Sequence, residues 1–578
     1  MKILELISQL LPGGTDAFAV AGMASATIAN AGQTPANGPD CPTWPPDLFA
    51  VVGSVIEASA CYTYASPDRR NMAAHEAYVE AIQATAVAWS DDMMAPPQVI
   101  RSLWLDLVDK HGHLPLEVVC DNAAAVTCLL HLFAVADEAS RGMGWGNSKG
   151  SNGFMFSQLA MMILTNDATN PLLPHLPNSF CSVVPPSVAV VLPKSVTSSV
   201  GCTIRSLSHY LALLPPKSII ETSWKLPSSG RQPEDAAADP SAPYDIRLLL
   251  IPFPFHVPAK SFKLSTPRTK LGNGRYAPAY FSLEQLWLEA DGAQLTGEHI
   301  AKELVLPLIE KAEREAGAKP HGIVFPECAL SKQVAEELVE ALAESGIEFV
   351  IAGILHKDGD KGFNRACTFV IRQSEDGAVA LSQDKHHRWR LDRRQTDRYA
   401  LNFDPDPEND KWWEDIEVNR RKLPFFGLRK EMSVATLICE DLARTDPAMT
   451  AIKAVGPNLV VALLMDGPQL AVRWPGKYAM VLAEDPGSAV LTLTCAAMVD
   501  RANWPESRPT RSVGLWRDAN GATQEIGLPA GSTGILLTLQ SCKKHQSTLD
   551  LRSDNELSRL LTLRTIVPLF LANNPIWV

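Results

Sequence analysis

Two hydrophobic rhythms divide the chain. From residue 1 to about 225, apolar residues return every three or four positions, the spacing of helices with one buried face. That spacing predicts helices over Asp47–Tyr64, Arg70–Trp89, Pro97–Lys110 and Leu116–Ala139. Asp121–Ala139 is apolar nearly all round, which predicts a central buried helix. Ser187–Pro193 (SVAVVLP) reads as an isolated strand within this helical region. From Ser228 to Pro243 the chain reads SSGRQPEDAAADPSAP, with no periodicity, and is expected to be a linker. Beyond it, short apolar runs alternate with amphipathic segments. YDIRLLLIPFPF, HGIVFPE, FVIAGIL, MSVATLICED, NLVVALLM, AVLTLTCAAMV and STGILLTL read as strands. Leu283–Ala316 is expected to form one or two amphipathic helices, and SKQVAEELVEALAESG another. Hairpins are expected to turn at Asp376-Gly377 and Asn520-Gly521. The expected organisation is a mostly helical domain over 1–227, a linker over 228–243, and an α/β domain over 244–578 with helices covering a mixed sheet.

Composition narrows the class. At 578 residues there is room for two or more domains, each with a full core. The apolar fraction of 46% with 20% charged is ordinary for a globular chain. A net charge of −12 speaks against a generic nucleic-acid or anionic-membrane surface. Eleven cysteines without a CxxC pair suggest reduced thiols in the cytoplasm rather than a disulfide framework or a zinc site. Cys128, Cys202 and Cys495 lie in apolar runs and are expected to be buried. No run of about 18 uncharged apolar residues marks a membrane span. Lys2 and the small-residue stretch ASATIANA faintly resemble a secretory signal, but Glu5, Asp16 and the Pro-Gly-Gly break argue against it.

Three residues stand out for their chemistry. Glu327 in GIVFPEC, Lys385 in LSQDKHH and Cys439 in ATLICEDLAR each follow an apolar run that reads as a strand. Each is therefore expected at a strand's C-terminal edge, where open α/β layers present functional side chains. A thiol is only a few per cent ionised at neutral pH and needs a base or cation beside it to become a nucleophile. Glu327 suits a general base. Lys385 suits a fixed positive charge for an oxyanion, helped by the backbone N–H after the cysteine. Taken singly, each has a bland reading: a buried small hydrophobe, a turn residue, a solvated lysine. Their order and matching strand contexts favour one site that needs neither metal nor cofactor.

FPE after a strand, lysine at the end of a hairpin and C-x-D after a strand together resemble the Glu-Lys-Cys triad of the nitrilase, or carbon–nitrogen hydrolase, superfamily. The resemblance covers about Tyr244 to Leu539. It extends to KYAMVLAEDPGSAVLTLTCAA after the cysteine and to SVGLWRDANG as a closing hairpin. The form CED is similar to the glutaminase domain of glutamine-dependent NAD synthetases. The resemblance implies an α-β-β-α sandwich, hydrolysis through a thioester, a small-molecule amide, nitrile or carbamoyl substrate, and pairing into homo-oligomers through helices. It also implies a second glutamate orienting the lysine, for which Glu414 and Glu417 are the candidates. Glu440 and Asp441 beside the cysteine are supporting candidates. Arg444 is a carboxylate anchor or a helix cap.

Other signals remain weaker. KHHRWRLDRRQTDR carries a dense basic face, read as a solvated surface or as a collector of anionic substrate. PGGTDA at Pro12–Ala17 faintly resembles an SGGxDS pyrophosphate loop, but proline and alanine stand in for its two serines and no strand precedes it; the Gly-rich loop Gly142–Gly153 with Lys149 lacks phosphate-loop spacing. His111, His113, His386 and His387 lack partners at metal-ligand spacing and are expected to be solvated. A second class of function stays open: a binding or assembly module that keeps the fold and works with protein partners, for instance in antiviral defence, with the 1–227 region as the docking part.

Overall fold

The computed structural model describes residues 1–14, 35–36, 38–91, 95–145, 173–226, 242–290, 292–371, 378–429, 431–503, 509–552 and 557–578. The expected Asp376-Gly377 turn, Lys149 and most of the 228–243 segment fall outside them. Two large sheets dominate. The first runs in the order Val379–Asp384, Lys361–Val370, Phe349–Asp358, Gly322–Val324, Tyr244–Leu250, Gly534–His545, Leu557–Leu569, with Leu330–Ser331 beside Phe349–Asp358. The second runs Thr523–Gly527, Ser512–Arg517, Ala489–Thr494, Leu459–Leu464, Met432–Ile438, Lys422–Arg429, Glu221–Lys225.

Alternation along the strands explains how the sheets stack, because successive side chains face opposite sides. Leu248, Leu250, Val324 and Ile351 of the first sheet meet Val434, Val461, Leu463 and Leu491 of the second in one core. Leu249, Ile323 and Val350 face the other way, onto Ile300, Leu304, Leu308, Val334 and Leu338 of the covering helices. Leu437, Val460, Ala462 and Val490 face Ile452 and Leu482 of the helices outside the second sheet. The layers therefore run helix, sheet, sheet, helix. Among the described residues no helix is long and apolar enough to cross a membrane.

The region before the linker departs from the expected separate helical unit in two ways. Its helices are present: Pro45–Ser59, Met72–Asp91, Gln98–Leu105 and Ala123–Ala139, the last buried along much of its length. Ser187–Pro193, however, is not isolated, since Val190–Pro193 pairs antiparallel with Leu211–Leu214. Glu221–Lys225 pairs in parallel with Lys422–Arg429 and forms the edge of the second sheet. Its Trp224 is fully buried, donates Nε1–H to the Gly144 carbonyl and meets Trp145 edge-on at 4.8 Å. The apolar residues of the Pro45–Ser59 and Ala123–Ala139 helices share one continuous core with the outer face of the second sheet. A boundary at 228–243 thus cuts through a sheet, because a short, non-periodic segment gives no sign of which strands it joins.

Leu283–Ala316 is also only partly helical. Helix begins at Gly297, capped by the Thr296 hydroxyl accepting from His299 N–H, and ends at Gly317 with φ +72°. Before it, Glu289–Ala290 and Ala293–Gln294 form a tight hairpin with Gly292 at φ +78°. A turn needing a left-handed residue overrode the helical spacing there. All eleven cysteines are free; Cys128 and Cys495 are buried but Cys202 is exposed.

Candidate functional site

Glu327, Lys385 and Cys439 are brought to one end of the sandwich. The Gly322–Val324 strand is parallel to both its neighbours, and Met432–Ile438 is parallel to Leu459–Leu464. Residues just past these strands therefore emerge on the same edge. Val379–Asp384 pairs antiparallel with Lys361–Val370, and Lys385 extends that ladder through its N–H to the Asn364 carbonyl at 2.8 Å. Gln383 Nε2 donates to the Thr436 carbonyl at 2.9 Å, tying the two sheets together beside the site.

Local backbone shapes this edge. Gly353 lies directly beneath Glu327: a Cβ there would sit 2.4 Å from Glu327 Cα and from the Pro326 carbonyl oxygen. Only glycine lets the neighbouring strand pass so close. Cys439 has φ +45° and Cys328 φ +55°. Both are left-handed conformations that cost a non-glycine residue about 1–3 kcal/mol, strain of the kind found at functional sites. Cys439 opens a short 3-10 turn, Cys439–Ala443, immediately after its strand.

The side chains form a closed hydrogen-bonded ring. Lys385 Nζ donates to Glu327 Oε1 at 2.8 Å and to Glu414 Oε2 at 2.7 Å. Asn364 Nδ2 donates to Glu327 Oε1 at 2.8 Å and to Glu414 Oε1 at 2.9 Å. Trp389 N–H donates to Glu414 Oε2 at 2.9 Å. Glu327 is 2%, Lys385 0% and Cys439 4% exposed. Within this ring Glu327 Oε2 is buried and has no partner among the described residues.

Burial governs the electrostatics. Burial pushes the Glu327 carboxyl up, and the Glu414 charge adds to this; the Lys385 ammonium and the Asn364 amide hydrogen bond pull the other way without cancelling it. For Lys385, burial works against the charge, yet Glu327 and Glu414 together hold the ammonium pKa well above the usual lysine range. Burial, reinforced by Glu327, raises the Cys439 thiol well above an ordinary cysteine, with Lys385 opposing. The site at rest thus holds a fixed cation and a neutral thiol beside a carboxyl raised above the usual carboxylate range.

The two candidates for a second glutamate separate cleanly in position. Glu414 joins the ring. Glu417 lies past the strand, its carboxylate taken by Asn419 Nδ2 at 2.6 Å. The long polar stretch after Lys385 folds into a side sheet, ordered Arg390–Asp392, Lys411–Glu414, Ala279–Leu283, Phe262–Thr266. It delivers Glu414 beneath the lysine. The alternation in KWWE is the signal available in sequence: Trp412 and Glu414 share the buried face and Trp413 does not. Asn364, which sequence reasoning missed, carries no such signal, being one of several polar residues in the Lys361–Val370 strand.

The remaining candidates serve elsewhere. Asp441 is buried and accepts from His386 N–H at 3.0 Å and pairs with His387 Nδ1 at 3.0 Å, pinning the lysine loop to the turn after Cys439. His386 is therefore buried rather than solvated, its Nε2 facing the Lys422 carbonyl oxygen at 2.8 Å. Glu440 and Arg444 pair with each other at 2.9 Å on the outside. In the basic face, the Arg393 guanidinium stacks on Trp412 at 4.9 Å and donates to the Asp406 carbonyl. Among the described residues no cluster of His, Cys, Asp and Glu is arranged to hold a metal ion.

No family model and no curated protein sequence matches the chain. Solved structures similar to it belong to the nitrilase, or carbon–nitrogen hydrolase, superfamily. Nit3 of Saccharomyces cerevisiae, a member of branch 10 of that superfamily, shares 13% identity over 51% of this chain and 89% of its own, with a TM-score of 0.29. A glutamine-dependent NAD(+) synthetase from Cytophaga hutchinsonii shares 13% over 51% of this chain and 43% of its own, TM-score 0.27. A CN-hydrolase superfamily protein of Xanthomonas campestris, solved with an arsenic adduct in its active site, shares 11% over 56% of this chain and 91% of its own, TM-score 0.25. At such scores the likeness carries no argument about chemistry. That argument rests on the side chains themselves.

Proposed function

We propose that the protein is a cysteine-dependent hydrolase of non-peptide carbon–nitrogen bonds in an amide, nitrile or carbamoyl substrate. The observation that carries this reading is the unpartnered Glu327 Oε2, held by Lys385 and Asn364 through its other oxygen in the site that holds the strained Cys439. For an amide, Cys439 Sγ attacks the carbonyl carbon as its proton passes to Glu327. Lys385 and the backbone N–H of Glu440 stabilise the oxyanion. The C–N bond breaks as Glu327 returns the proton to the departing nitrogen, leaving a thioester. A water deprotonated by Glu327 then adds, the C–S bond breaks and the thiol is restored. A carboxyl raised above its usual range suits this double duty, because the shift makes it a stronger base without removing it as an acid.

Two measurements on the full chain test the reading. Intact-mass analysis after incubation with cell extract is expected to show an acyl adduct that Cys439→Ala abolishes. Iodoacetamide labelling, with the exposed Cys202 as internal reference, is expected to slow at Cys439 by about 10²–10⁴-fold in Glu327→Gln while Cys202 is unchanged. If no adduct forms and the Cys439 rate ignores Glu327, the hydrolase reading fails and a binding or assembly role for this fold takes its place.

A further inference from the structure

The geometry points to Asn364 as the positioning residue that decides which oxygen of Glu327 acts as the base, a role that rests on the hydrolase reading above. One amide nitrogen spends its two hydrogens on two carboxylates, Glu327 Oε1 at 2.8 Å and Glu414 Oε1 at 2.9 Å. With Lys385 also on Glu327 Oε1, that oxygen is doubly engaged and Oε2 alone is left to take a proton. The amide is held in this sense because the opposite orientation would point its oxygen at two carboxylates. Its own Oδ1 is buried without a partner among the described residues, so none of them draws the amide away. Its backbone is fixed as well, accepting the Lys385 N–H one position beyond the strand pair. Asn364 is fully buried, which keeps water from substituting for the amide.

The consequence is a pH dependence. The charged groups facing Glu327 are Lys385 and Glu414, and the thiols of Cys439, Cys328 and Cys495 lie within its field. Hydrogen bonds to a carboxylate favour its charged form, so losing Asn364 raises the Glu327 pKa further. The base then becomes available only at higher pH.

The test is the ratio of Cys439 to Cys202 alkylation by iodoacetamide, measured from pH 5 to 9 on the full chain. The ratio is compared between variant and wild type at each pH, so the response of the exposed Cys202 is common to both and the displacement of the acid limb reports the base. In Asn364→Leu, similar in size but without a donor, the midpoint of that limb is expected about one pH unit higher, with rates converging on wild type in alkali. Asn364→Ser, which keeps one donor, is expected to shift it less, and it carries the test if the leucine variant does not fold. An unchanged midpoint overturns the inference, whether rates are unaltered or fall equally at every pH, since a uniform fall marks a purely structural role. If the wild-type ratio itself shows no dependence on Glu327, the hydrolase reading has failed and the inference falls with it; the two failures are thus told apart.

Discussion

Two buried cations in this molecule sit among carboxylates, and they are finished differently. Arg552 is fully enclosed between Asp137, Glu138 and Asp550 at 2.7, 3.0 and 3.0 Å. Its five guanidinium N–H groups are all used, the other two on the carbonyls of Ala134 and Leu207. Asp137 in turn accepts from the backbone N–H groups of His209, Tyr210 and Leu211. Lys385 is equally buried between Glu327 and Glu414, but there one carboxylate oxygen has no partner among the described residues. A satisfied buried cluster fixes an arrangement, whereas an unsatisfied one holds binding capacity in reserve. Arg552 joins the Ala123–Ala139 helix, the 207–211 segment and the turn after the Gly534–His545 strand into one body. In the Lys385 cluster the described residues leave Glu327 Oε2 without a hydrogen-bond partner.

Four substitutions sharpen this contrast. The largest effect is expected from Arg552→Met, which leaves three buried carboxylates uncompensated and should cost about 3–5 kcal/mol in urea unfolding. The Cys439-to-Cys202 labelling ratio of the folded variant should stay within about twofold of wild type, because Arg552 belongs to the lock and not to the site. Glu414→Gln should do the reverse. Stability should change little, since one of two carboxylates competing for Lys385 becomes neutral, while Cys439 labelling falls about 10- to 100-fold as the lysine loses its second support. Glu417→Gln, three residues on, should leave labelling within about twofold. Equal losses from the two would break the assignment of Glu414 to the ring. The smallest effect is expected from Arg444→Ala: its guanidinium is 55% exposed and pairs with Glu440, so unfolding should shift by about 0.5 kcal/mol or less. A labelling loss there would bring Arg444 back as a substrate anchor.

Much of the α/β part was legible in advance because several of its central strands, such as Met432–Ile438, Leu459–Leu464 and Ala489–Thr494, are short apolar runs. Glu327 and Cys439 were legible for the same reason, each being the first polar or reactive residue after such a run, and Lys385 because it follows a hairpin strand. The second glutamate was legible only as a pair of candidates. Choosing between Glu414 and Glu417 requires knowing that Lys411–Glu414 pairs with Ala279–Leu283, a partner more than a hundred residues away. The hairpin before Gly297 was misread as helix because apolar spacing over a few residues fits both periods. Asn364 and Arg552 were not legible at all, since a single polar residue in a strand or a loop looks the same whether it faces water or closes a buried ring.

The sequence by itself therefore determined the local elements and which reactive side chains stand at strand ends, because periodicity and turn chemistry act over a few neighbouring residues. Only the tertiary structure decided that the region before the linker supplies an edge strand and shares a core with the second sheet. Only it decided that Asn364 and Glu414 close the ring around Lys385, that Glu327 Oε2 has no partner among the described residues, and that every guanidinium N–H of Arg552 is used. These outcomes depend on contacts between residues far apart in the chain, where burial sets the cost of every unpaired group.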